Sequence, residues 1–103
     1  MDTSLLETSL SAAASRLQGV AGDEVPTSEL IQELHVCEQE LVAKRFVRQR
    51  DQFGSIRMLR IPGIESALIH VSQALTDLKV RSVDDARSNI KDAIEDLATV
   101  ASN

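Results

Sequence analysis

A chain of 103 residues with 43% hydrophobic content makes one domain, 1–103, with a modest core. Two Phe and no Trp or Tyr weigh against carbohydrate binding and base stacking, which lean on aromatic faces. A net charge of −5 opposes non-specific binding to nucleic acid or to an anionic membrane.

The first predicted helix is 5–18. Ser4 with Glu7 three residues on reads as a capping box, and Gly19 as the stop. Its apolar stripe, Leu6, Leu10, Ala13/Ala14 and Leu17, is narrow and needs something to lie against. Gly19–Pro26 is a loop, punctuated by two glycines and a proline. Thr27 or Ser28 then caps a second helix, 28–44, with Glu29 in its first turn. Leu30, Leu34, Cys37 and Leu41 form one face of it.

That face gives way to Lys44, Arg45 and Arg48. The segment Lys44–Arg60 carries six basic residues against Asp51, a net +5, between flanks of −7 and −3. A β-hairpin over 46–61 and a continuing, kinked helix fit the pattern equally well. In the hairpin, Asp51-Gln52-Phe53-Gly54 is the turn, with glycine free to take φ > 0. Ile56 and Met58 then share one strand face, and Arg57 and Leu59 the other.

A third helix, 63–79, follows from Ile64, Leu68, Val71, Leu75 and Leu78, spaced by fours and threes. A fourth, 83–101, is capped by Ser82, with Asp84 and Asp85 in its first turn. Val83, Ala86, Ile90, Ala93, Ile94 and Leu97 give it a broad apolar face. The short link at Lys79–Ser82 makes these two helices an antiparallel hairpin. The fold class expected is therefore mainly α: about four helices with a short β-hairpin, the alternative being an all-α four-helix bundle. The wide face of the last helix needs more than one neighbour, either the first two helices or a second copy. Leu68, Val71, Leu75, Leu78, Ile90, Ile94 and Leu97 are the residues expected to carry self-association.

Catalytic and metal-binding patterns are missing from the sequence. It contains no Gly-rich phosphate loop, no GxSxG and no CxxC. His35 and Glu38 can share a helix face, but two ligands make a weak metal site. His35 and Cys37 point about 160° apart on a helix. His70 has no acid three or four residues away. No nucleophile has an adjacent base. A non-enzyme without cofactor, metal or small-molecule substrate is expected. Cys37, the single cysteine, allows no internal disulfide, which suits a reducing compartment. With no basic, apolar leader and no membrane-length apolar run, the expected location is the cytoplasm.

Ser28 to Ile61 resembles the recognition helix and wing of winged-helix domains. The residues that carry the resemblance are Leu34, Leu41-Val42-Ala43-Lys44-Arg45-Phe46-Val47, Arg48-Gln49-Arg50-Asp51, Gly54-Ser55 and Ile56-Arg57-Met58-Leu59. The resemblance implies a DNA-binding regulator that docks its wing on phosphates and dimerises through the helices that follow. In this chain the helix before the wing carries Glu29, Glu33, Glu38 and Glu40, which would repel phosphates. A protein-binding variant, or contact by the wing alone, fits that charge.

Two functions follow as expectations. The first is a small helical interaction protein, an adaptor, chaperone or inhibitor-type subunit that binds a protein partner and forms homo-oligomers. The second is a DNA-binding transcriptional regulator. In either, Lys44, Arg45, Arg48, Arg50, Arg57 and Arg60 are the candidate contact residues.

Overall fold

The computed structural model describes residues 3–18 and 28–101. The elements in order are α1 (Ser4–Leu17), α2 (Ser28–Lys44), β1 (Phe46–Arg50), β2 (Ile56–Arg60), α3 (Pro62–Lys79) and α4 (Val83–Ala101). The chain is mainly α, with one two-stranded antiparallel hairpin between the second and third helices. The predicted loop Gly19–Pro26, the Gly19 stop and the Thr27 cap lie outside the described residues.

The helices bury the stripes that their spacing predicts. Leu10 and Leu17 of α1, Leu34 and Leu41 of α2, Ile64 and Val71 of α3, and Ile90 and Leu97 of α4 are all fully buried. Each such side chain contributes roughly 1.5–3 kcal/mol by leaving water. α4 packs against both α3 and α1, and α2 packs against α3. The contact of α1 with α2 closes the ring and is the least extensive of the four.

Polar contacts fix the antiparallel directions. Thr3, at the start of α1, directs its hydroxyl to the Leu97 carbonyl late in α4, at 3.5 Å. Arg16, at the end of α1, donates to Glu33 near the start of α2, at 2.9 Å. Ser72 of α3 donates to Glu38 of α2 at 2.7 Å. Asn89 of α4 donates to the buried Asp77 of α3 at 2.7 Å, and Gln73 reaches the other Asp77 oxygen at 3.1 Å. Two neutral amides thus satisfy this buried carboxylate. At α3's N-terminus, Pro62 sits in the first turn, where a missing N–H costs nothing. Beside it, a Cβ on Gly63 would strike the Val100 side chain and press on the Asp96 carbonyl. Glycine here lets the end of α4 lie close.

One expectation is corrected. The capping box at Ser4 and Glu7 does not form. The cap is Thr3, without a side-chain cap hydrogen bond, because the threonine is buried against α4 and its hydroxyl turns to Leu97. Leu68, Val71, Leu75, Leu78, Ile90, Ile94 and Leu97 are buried or partly buried within the chain's own core. Within the chain, α2 packs on α3 and α1 on α4.

The α3–α4 link holds a local strain that spacing cannot show. Arg81 has φ +61°, in the left-handed region. Its N–H bonds to the Leu78 carbonyl (3.2 Å), and the Ser82 N–H to the Asp77 carbonyl (2.8 Å). This is the Schellman arrangement, with arginine where glycine is usual. Ser82 then donates to Asp85 at 2.6 Å as α4 begins. Relief of the left-handed penalty outweighs the entropy of a glycine. Arg81→Gly should therefore raise unfolding stability by about 0.5–1 kcal/mol, read as a higher midpoint in urea with an unchanged slope.

Candidate partner-binding hairpin

The basic segment is a hairpin, not a continued helix. Its turn is built locally. The Asp51 carboxylate accepts the Phe53 and Ser55 N–H groups, both at 2.9 Å. The Asp51 N–H bonds to the Ser55 carbonyl (2.9 Å), and the Gly54 N–H to the Asp51 carbonyl (3.1 Å). Gly54 takes φ +83°. A three-residue loop ending in a left-handed glycine joins antiparallel strands without splaying them. The one acid of the segment is thus held in the turn by backbone donors.

The register pairs Phe46 with Arg60, Val47 with Leu59, Arg48 with Met58, Gln49 with Arg57 and Arg50 with Ile56. Directly paired residues share a face. One face therefore presents Arg48, Arg50 and Arg60 among Phe46, Ile56 and Met58. The other presents Arg57 with Val47, Gln49 and Leu59. From Val47 to Arg50 and from Ile56 to Arg60 every residue is exposed. Both faces carry apolar side chains into solvent, and Phe53 at the tip is 83% exposed. A two-stranded hairpin open on both sides is marginal in water on its own.

The base anchors it. The Ile61 N–H bonds to the Arg45 carbonyl at 2.9 Å, and Ile61 packs on the core. Two guanidinium groups lie over the Phe46 ring, Arg45 at 5.1 Å and Arg60 at 5.9 Å from its centroid. These distances suit cation–π attraction. Arg60 also approaches Glu65 at 3.9 Å. Lys44 and Arg45 are half-buried at this base.

The six candidate cations therefore divide. Lys44, Arg45 and Arg60 belong to the base, and Arg45 and Arg60 are engaged there with Phe46. Arg48, Arg50 and Arg57 stand on the exposed strands, and among the described residues no carboxylate reaches ion-pair distance of them. The chain's own described acids do not neutralise these three.

A groove runs between α1 and α2, where the bundle packs least closely. It encloses about 410 Å³ and is lined by Leu5, Leu6, Ala12, Val36 and Cys37, with Glu33 and Glu40 among its polar residues. Spacing of the α2 stripe alone could not show it, because it lies between two helices. Cys37 is buried among these residues. Its thiol is pushed up to about 11, by burial first and then by Glu40 and Glu33. A nucleophilic thiol needs the opposite shift.

The histidines have partners but form no cluster. His35 Nδ1 lies 3.4 Å from Glu38, and His70 Nδ1 lies 2.7 Å from Asp96 of α4. The second partner is 26 residues away in sequence, beyond any helix-periodicity search. Among the described residues no three His, Cys, Asp or Glu side chains converge as a metal site would require. Nor is any described helix long and apolar enough to cross a membrane. Comparison with protein-family models, curated proteins and solved structures found no match.

Two outcomes test this geometry. Asp51→Ala removes both side-chain turn bonds, worth about 2 kcal/mol to a marginal element. Amide protection along β1 and β2 should fall to that of open chain while the bundle's melting temperature hardly moves. Alkylation of Cys37 in the folded protein should climb with pH towards about 11, whereas the unfolded thiol titrates near 9.0. Because the folded state keeps its proton longer, stability should fall as pH rises between those values.

Proposed function

We propose that this chain is a small non-enzymatic protein-interaction module that presents its basic, apolar hairpin to a protein partner. The observation that carries this reading is the mixture on the hairpin's exposed faces. Three arginines without a described carboxylate partner stand among Ile56, Met58, Val47, Leu59 and the Phe53 tip. Phosphates would pair the arginines and leave those apolar groups wet. An acidic, partly apolar protein surface covers both kinds of group. The bundle supplies a filled core that holds the hairpin at one end.

Charge outside the hairpin agrees. The exposed side of α2 carries Glu29, Glu33 and Glu40. As a recognition helix beside a wing it would push phosphates away.

Random-sequence duplex DNA is the discriminating ligand. The native protein should show no tight binding at moderate salt, and little at low salt. The opposite result is a steep fall in affinity with salt, whose log–log slope shrinks by roughly 0.9 for each arginine removed in Arg48→Ala, Arg50→Ala and Arg57→Ala. That outcome would overturn this reading in favour of a DNA-binding regulator.

A further inference from the structure

We propose that the hairpin's partner is a second copy of this chain, and that each hairpin docks in the other protomer's α1–α2 groove. This rests on reading the hairpin as a protein-binding element and names what it binds.

The two surfaces complement each other in charge and polarity. The hairpin offers Arg48, Arg50 and Arg57 between apolar side chains. The groove offers apolar walls, with Leu5 82% and Val36 49% exposed, and Glu33 and Glu40 beside them. Arg16 holds Glu33, whereas Glu40 has no ion pair among the described residues. A buried apolar strip edged by opposite charges is the usual composition of a specific interface.

The placement also fits. The groove is lined by Leu5, Leu6 and Ala12 of α1 and by Glu33, Val36 and Glu40 of α2, so it follows the middle of both helices and reaches Leu5, near the end of the bundle that carries the hairpin. A two-fold axis at that end lets each hairpin lie along the other protomer's groove. The contact is then isologous and closes at two chains.

Pairing of two hairpins edge to edge would instead set arginine strands against one another, a repulsive arrangement.

Charge reversal on one side at a time tests this. The first variant is Arg48→Glu, Arg50→Glu; the second is Val36→Lys, Glu40→Lys, both at exposed positions. Light scattering after gel filtration should give a dimer for the native protein and a monomer for each variant alone. An equimolar mixture of the two should return to a dimer, because both hairpin–groove contacts regain opposite charge. A native monomer at every concentration from micromolar to millimolar overturns the proposal, as does a groove variant that still dimerises. A monomer that also ignores duplex DNA removes the second copy as partner and leaves the protein-binding reading standing.

Should a variant lose its cooperative melt, a photo-crosslinking residue at Phe53 in the otherwise native chain answers the same question. In a mixture of isotopically light and heavy protein, light-to-heavy links from the tip to α1 or α2 are expected. Links only within a protomer, or only between hairpins, overturn the proposal.

Discussion

The apolar face of α4 is too wide for one neighbour, and the remaining architecture follows from covering it. Ile90, Ala93 and Leu97 are buried completely, with α3 on one side and α1 on the other. α2 then lies against α3 and reaches α1 to close the ring. That order brings the end of α2 beside the start of α3. The residues between them leave and return at the same end of a filled core. They run outward as a pair of strands.

Once outward, the segment is held by local chemistry. The carboxylate of Asp51 and the positive φ of Gly54 set the turn. Cross-strand pairing sets the register. The arginine–phenylalanine stack and the Ile61 bond fix the base. The turn and the register need nothing from the core, which lets the segment carry residues that a core would exclude. The same independence leaves its faces uncovered.

The sequence made the helices legible because burial imposes a period, and Leu30, Leu34, Cys37 and Leu41 keep it. It left the hairpin undecided against a kinked helix for a related reason. Neither strand face is buried, so Phe46–Arg50 and Ile56–Arg60 carry no clean alternation of apolar and polar residues. The stripe of α3 and α4 showed that a face is covered without showing by what, and α1 and α2 supplied the answer. The first cap was misplaced by one residue because its choice lies in a contact with Leu97, ninety-four positions away. Of the candidate cations, the sequence could not separate Arg48, Arg50 and Arg57 from those engaged at the base. That division depends on the position of the Phe46 ring and on which acids fold within reach.

The hydrogen bond from Ile61 to the Arg45 carbonyl has a wider bearing. It ties the strand pair to the helix pair, so the hairpin springs from α2 and α3 through two fixed points and not through a single flexible stalk. Its orientation relative to the bundle is set when the chain folds. A partner that grips it meets a preorganised surface and loses little entropy in ordering it. Any twist imposed on the hairpin acts on α2 and α3 together, like a handle set into both.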